Sequence, residues 1–270
     1  MWSAARAVAK AAETGQPLPD VPAFHRMQTQ LGAWPMRGQT TVIAAQPGGH
    51  KSGMALYMCD RMDVNVLYVS GDSDATTMIA RLAAIRTGSP VSQVRTNLET
   101  HPGYYEDILA DSKIRFVFDA TPTLTTIQHN LDAYVELFDA WPDVVVIDNL
   151  RDVSYTSGSA TSEYGDWRAL MLEFKTLTRE TGVAALVLHH TLESGTDPTK
   201  PSSRKFLDGK ISQTPEMVLS LGFDPAVDEL YVSVVKNRSG RADATASTWC
   251  TVGVLPESSS FFSKEPVSVY

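Results

Sequence analysis

The sequence is poor in cysteine, in long apolar runs and in positive charge. Its two cysteines, Cys59 and Cys250, stand far apart and match no metal-ligand spacing, so both read as reduced small hydrophobes. No stretch approaches the ~18 apolar residues of a membrane span, and the Ala-rich segment 1–14 lacks the apolar core of a secretory signal. The expectation is a soluble, cytoplasmic protein with no membrane partner. Lys and Arg number 23 against 31 Asp and Glu, a net charge of −8 with a pI near 5.2. The surface as a whole is therefore no electrostatic trap for nucleic acid, and any such contact must be local. Basic residues gather in two places, 200–210 and 236–241. What is present, 43% hydrophobic and 20% charged residues over 270 positions, suits one large α/β domain with a short appendage.

Residues 1–22 read as a helix and a Pro-containing linker, followed by a single domain over 23–270. Thr40–Ala45 is β-branched and apolar and passes through a Gly/Pro turn into the helical run Lys51–Met62. The same grammar repeats: strand Val64–Val69, helix Ala75–Thr87, strand Ile114–Asp119, helix Thr125–Ala140, strand Asp143–Ile147, helix Glu163–Gly182, strand Val183–Leu188. Alternation of this kind predicts an α/β fold with right-handed crossovers and a mostly parallel twisted sheet, helices on both faces. Met217–Leu221, Leu230–Lys236 and Ser247–Val252 are predicted as later strands, antiparallel at the sheet edge. Three stretches, Val153–Tyr164, Glu193–Gln213 and Asn237–Ala244, are long loops of the kind that carry function. Each starts at the carboxyl end of a predicted strand, where open α/β sheets bind ligands.

Between the first strand and its helix runs Ala45-Gln46-Pro47-Gly48-Gly49-His50-Lys51-Ser52. A phosphate-binding GxxxxGK[ST] loop needs glycines so that backbone N–H groups can curl around phosphates, a lysine for the β/γ-phosphates and a hydroxyl for Mg²⁺. Lys51 and Ser52 stand in register. Ala45 and His50 replace the two defining glycines, and a side chain at position 50 restricts the loop if that residue needs a positive φ. Nearly a hundred residues on, Asp143-Val144-Val145-Val146-Ile147-Asp148 is an apolar strand ending in a carboxylate, the form of a Walker B element in which Asp148 holds Mg²⁺ through water. In Val66-Leu67-Tyr68-Val69-Ser70-Gly71-Asp72-Ser73-Asp74, Asp72 is the first candidate to orient and deprotonate the attacking water and Asp74 the second. An N-cap role for the following helix is the competing reading of either, and weighs at least as much for Asp74.

With these elements in this order, the chain resembles the RecA-like ATPase domain of DnaB- and RepA-type replicative helicases, over about residues 21–251. Leu31-Gly32-Ala33-Trp34-Pro35-Met36-Arg37-Gly38 is similar to the family's turn into the first strand, and Asp72 takes the place of its catalytic glutamate, one methylene shorter. Val187-Leu188-His189-His190-Thr191 resembles the sensor strand of the plasmid RepA branch. Side chains alternate along a strand, so one histidine of the pair faces the nucleotide, and His190 is favoured. Gly209-Lys210-Ile211-Ser212 with Met217–Leu221, and Val234-Val235-Lys236-Asn237-Arg238-Ser239-Gly240, resemble two further family elements. By that resemblance Lys236 and Arg238 cross a subunit interface to a neighbour's γ-phosphate, which implies a ring or helical homo-oligomer, a hexamer in this family. The bland reading is a solvated basic hairpin tip.

The resemblance further implies ATP and Mg²⁺ (or Mn²⁺) as cofactors, with Pro47, Gly48, Gly49, His50, Lys51 and Ser52 around the phosphates and Ser52 and Asp148 at the metal. It implies single-stranded or forked DNA as partner, held by the loops after the Walker B and sensor strands. Arg151 and Tyr155 in the first, and Lys200, Arg204, Lys205 and Lys210 in the second, are the candidate contacts. The expected function is an oligomeric, ssDNA-dependent ATPase or helicase of replication or recombination, a stand-alone motor module of the phage or plasmid type. Two alternatives stand beside it. Asp72, Asp74, Asp148 and Asp152 converging on metal ions would make a structure-specific DNA nuclease. ATP binding without rapid turnover would make a loader or recombination mediator.

Overall fold

The computed structural model describes residue 12 and residues 14–154 and 163–264, the side chains of 163–165 and 210 excepted. Most of the predicted helix over 1–14, Tyr155 and most of the loop 153–164 lie outside the described residues. Among the described residues, nine strands form one sheet in the order β3-β2-β4-β5-β1-β6-β7-β8-β9. They are β1 Thr40–Ala45, β2 Val66–Ser70, β3 Ile114–Phe118, β4 Val144–Asp148, β5 Ala184–His190, β6 Met217–Asp224, β7 Glu229–Asn237, β8 Cys250–Leu255 and β9 Ser260–Ser263. β1 to β6 pair in parallel, and β7 to β9 extend the sheet antiparallel. The helices are α1 His25–Leu31, α2 Lys51–Met62, α3 Ala75–Thr87, α4 Val91–Thr100, α5 Pro102–Leu109, α6 Leu124–Phe138 and α7 Glu163–Thr181.

β1, β2 and β4 are buried at every position, as parallel strands covered on both faces must be. Alternation assigns their side chains to two cores. Ile43, Ala45, Val66, Tyr68, Val144, Val146, Leu186 and Leu188 pack with α1, α2 and α3. Val42, Ala44, Leu67, Val69, Val145, Ile147, Ala185 and Val187 pack with α6 and α7. This alternation decides which residues at the strand ends share a face.

The departures from expectation are local. Neither α4 nor α5 is legible in sequence, because each buries a single side chain, Val94 or Tyr105, in a small satellite core against Ala80, Ala83 and Ala84. β8 starts at Cys250 rather than at Ser247 because the Asp243 carboxylate accepts from the Ser247 hydroxyl and the Thr248 N–H, holding that stretch as a loop. The stretch Asn237–Ala244 does not lie at the ligand-binding edge as predicted. It begins at the carboxyl end of β7, and β7 runs antiparallel, with Asn237 opposite Met217 at the start of β6.

Candidate functional site

Residues 46–50 form the turn between β1 and α2. Gly49 donates its N–H to the Gln46 carbonyl at 3.0 Å, and a Cβ at position 49 would come within 2.7 Å of the Ala45 Cβ. Only glycine fits there. Gly48 has φ 76°, and His50 also occupies the left-handed region, with φ 58° and ψ 17°. The position that normally demands glycine thus carries a side chain in the same backbone conformation, at a cost of about 1–2 kcal/mol. Its ring meets Phe223 edge-on at 4.2 Å and Phe261 of β9 at 6.4 Å, contacts worth about 0.5–1.5 kcal/mol each. Burial pushes the imidazole pKa down, helped by Arg81, which favours the neutral ring that stacks well. His50→Gly is expected to change folding stability by no more than about 1 kcal/mol, since relief of backbone strain offsets lost ring contacts. His50→Ala keeps the strain and loses the contacts, so it is expected to destabilise by about 1–2 kcal/mol. Urea denaturation of the pair measures the difference.

Lys51 opens α2 and is 7% exposed, at a helix N-terminus whose free N–H groups favour an anion. Burial lowers its pKa, opposed by the charges of Asp148, Asp72 and Asp152. Ser52 donates its hydroxyl to Asp148 Oδ1 at 3.0 Å across 96 positions of sequence, and Tyr68 donates to Asp148 Oδ2 at 2.8 Å. Burial raises the Asp148 pKa, while Tyr68, Ser52 and Lys51 act to hold the carboxylate ionised. A hydroxyl and a carboxylate side by side next to a buried ammonium are a donor set suited to a hard divalent cation.

Asp72 is exposed on the cleft that the loop opens into. This cleft, of about 770 Å³, runs from the loop past Asp72 and Ser73 to Arg81 and Arg95, closed by Pro256 and Ser259 of the β8–β9 turn. Asp74 is committed elsewhere: it N-caps α3, accepting from the Thr77 N–H at 2.7 Å, which holds its carboxyl below the usual range. Asp152 is half-buried with its pKa raised by burial. It abuts Gly71, where a Cβ would stand 2.9 Å from the Asp152 Cβ. Among the described residues, no three His, Cys, Asp or Glu side chains are grouped to hold a metal. Of the four aspartates expected to converge, Asp74 is drawn away as a helix cap, while Asp72 acts electrostatically on both Asp148 and Asp152.

His189 and His190 point to opposite faces, as alternation requires. His189 is fully buried, packs edge-on against Trp167 at 5.2 Å and places Nε2 3.1 Å from the Asp208 carbonyl, and burial pushes its pKa down to about 3. His190 sits beside Ala45, the last residue of β1, and on the Lys51 side its pKa is lowered to about 4 by burial and then by the Lys51 charge.

Lys236 Nζ and Arg238 both donate to the Gln213 carbonyl, at 2.8 and 2.9 Å. Burial, then the Arg238 charge, brings the Lys236 pKa down to about 8. Both sit where β7 ends beside the start of β6, whereas the 46–50 turn leaves the far end of β1, a strand of six residues. At about 3.3 Å per residue the two edges are separated by about 17–20 Å. Arg204 and Lys205 join Lys236 and Arg238 around one cleft of about 910 Å³, so two basic stretches read separately in sequence meet in space. Lys200 does not join them. It lies within 4.0 Å of Asp197, and its backbone crosses β6 at Gly222, where a Cβ would be 2.2 Å from the Lys200 carbonyl carbon. Arg151 is exposed, 5.8 Å from the Trp167 ring. Lys210 falls on a 3-10 turn, Asp208–Gln213. Tyr68, Arg81 and Arg95 carried no signal of their own in sequence. A tyrosine inside an otherwise apolar strand was the available hint for the first.

The sequence profile of the AAA domain family matches residues 23–195. The chain is 34% identical over 247 residues to the Gene 65 protein of Mycobacterium phage L5, covering 88% of this chain and 90% of that one. It is 33% identical over 219 residues to the Gene 65 protein of Mycobacterium phage D29, covering 78% and 93%. Among solved structures, one ATPase domain superposes with a TM-score of 0.81 at 16% identity, covering 98% of this chain and 100% of that one. A DnaB-like replicative helicase, solved in a study of its interactions with primase, superposes with a TM-score of 0.78 at 16% identity, covering 98% and 68%. The fold is that of a RecA-like, DnaB-type ATPase domain.

Proposed function

We propose a function from one premise: this chain belongs to the AAA domain family. It is an ATP-binding, DNA-processing protein, an oligomeric ssDNA-dependent ATPase of the helicase or translocase type that acts in phage replication in the cytoplasm. The observation that carries the reading is the Ser52–Asp148 hydrogen bond of 3.0 Å beside the buried Lys51. It joins the two sequence elements such an ATPase needs, and chance offers little reason for them to meet.

The backbone N–H groups of Pro47–Ser52, proline excepted, and the N-terminus of α2 hold the phosphates, and Lys51 contributes its charge at the β/γ-phosphates. Ser52 and Asp148 would hold Mg²⁺ or Mn²⁺, which when bound neutralises phosphate-oxygen charge. Asp72 orients a water and accepts its proton as the water oxygen bonds to the γ-phosphorus and ADP departs. His190 lies on the nucleotide face to sense the γ-phosphate. Lys236 and Arg238, a strand length from their own loop, serve a neighbouring subunit. Arg151 and Tyr155, with Lys200, Arg204, Lys205 and Lys210, are the proposed contacts to single-stranded DNA.

The test is ATP hydrolysis with and without single-stranded DNA, alongside incubation with forked DNA and Mg²⁺ or Mn²⁺. Turnover stimulated by single strands, with ATP-dependent strand separation, is the expected result. Metal-dependent cutting of the fork without ATP would replace this reading by the nuclease, and ATP-dependent DNA binding without turnover by the loader or mediator.

A further inference from the structure

We propose that Tyr68 is a positioning residue for the Asp148 carboxylate, keeping it turned toward Ser52 and away from Lys51. The inference rests on the proposed cation site at Ser52 and Asp148.

β2 reads Val66-Leu67-Tyr68-Val69-Ser70, and every residue of it is buried. A tyrosine in such a strand brings a hydroxyl into an apolar layer, which is costly unless the hydroxyl finds a partner. Tyr68 is 0% exposed and its ring packs on Phe116 with centroids 5.5 Å apart. Phenylalanine would fill the same volume. What the hydroxyl adds is one bond, to Asp148 Oδ2 at 2.8 Å.

Strand register makes this bond possible. Tyr68 lies beside Val146 on β4, and Ser70 beside Asp148. Positions 146 and 148 share a face, so Tyr68 meets the carboxylate one diagonal step along, on the side where α2 lies. Asp148 is 1% exposed, so water does not solvate its second oxygen. With Oδ2 held by Tyr68, Oδ1 is directed at the Ser52 hydroxyl, 3.0 Å away. Lys51 is the nearby cation and attracts the same carboxylate. Without the phenol, rotation of the carboxylate toward Lys51 would satisfy both buried charges at once. It would also withdraw Oδ1 from the cation position, while Lys51 stays at the head of α2, within reach of the phosphates. The clamp keeps two opposite charges adjacent and separately available.

The test is Tyr68→Phe, with ADP affinity measured by calorimetry in MgCl₂ and in EDTA, together with the Mg²⁺ concentration giving half-maximal binding. The expected result is a rise of about tenfold in the Mg²⁺ requirement, the scale of one hydrogen bond to a charged group, with the affinity in EDTA unchanged within about twofold. In an Asp148→Asn background, Tyr68→Phe should add little further. An unchanged Mg²⁺ requirement, or a parallel fall of both affinities, would assign Tyr68 to packing alone and overturn the proposal. Should Tyr68→Phe fold poorly, Tyr68→Met, which also lacks the hydroxyl and adapts its shape to the gap, is read in the same way. A wild type whose ADP affinity is indifferent to Mg²⁺ would overturn the cation site itself. A wild type that needs Mg²⁺ while Tyr68→Phe matches it overturns only the role of Tyr68.

Discussion

Replacing Arg238 by alanine is expected to lower ATP turnover by about 10³-fold or more, the range for loss of a cation supplied in trans to a phosphoryl-transfer transition state. Nucleotide affinity of the isolated chain should stay near that of wild type. The geometry behind this is the antiparallel course of β7, which places Arg238 beside Met217 and Glu216 at the edge of the sheet remote from the phosphate loop. Within one chain the guanidinium is about a strand length, 17–20 Å, from that loop, so loss of turnover would have to arise between subunits. Mixing supplies the decisive measurement. Arg238→Ala subunits keep an intact loop and Lys51→Ala subunits keep an intact arginine. Random assembly therefore places a working loop against a working arginine at about one interface in four in a closed ring. Recovery of activity on mixing two inactive variants is the expected outcome. Full activity of Arg238→Ala alone would return residues 236–241 to the status of a solvated basic hairpin tip.

The second large effect is expected at Lys51. Lys51→Ala should reduce turnover by about 10²–10³-fold, the scale of removing a preorganised group that stabilises developing charge, and should weaken ATP binding as well. Lys51 is nearly buried, and its charge also helps keep Asp148 ionised. Its loss therefore removes a phosphate contact and weakens the cation position together. Asp148→Ala is expected to reduce turnover by a similar factor, so comparable loss in both variants supports the ATPase. Fork cutting that survives Lys51→Ala but not Asp148→Ala would overturn the motor reading, because a nuclease needs the carboxylate and not the ammonium.

Much of the fold was legible because parallel strands buried on both faces read as continuous apolar runs, and helices between them carry a different period. β1, α2 and α3 fall where the pattern predicted them, and the antiparallel edge was anticipated as well. No period in the sequence marks α4, α5 or β9. Helices that bury one side chain each, and a four-residue strand rich in serine, lack a period to read. Asp74 shows the limit of local chemistry: a carboxylate at the end of a strand suits a catalytic base and a helix cap equally, and only the bond to the Thr77 N–H distinguishes them.

By itself the sequence determined the parallel core, the turn at residues 46–50 between β1 and α2 and the order of the elements that accompany it. These depend on local period and on short motifs, which neighbouring residues specify. It also raised the question of a positive φ at His50 without answering it. Tertiary structure decided that His50 does take that conformation, held against Phe223 and Phe261 from distant strands. It decided that Tyr68 and Ser52 share one carboxylate, and that Arg204 and Lys205 meet Lys236 and Arg238 while Lys200 stands apart. Each of these is set by strand register and direction. Register follows from the packing of both sheet faces at once, and no short window of sequence contains it.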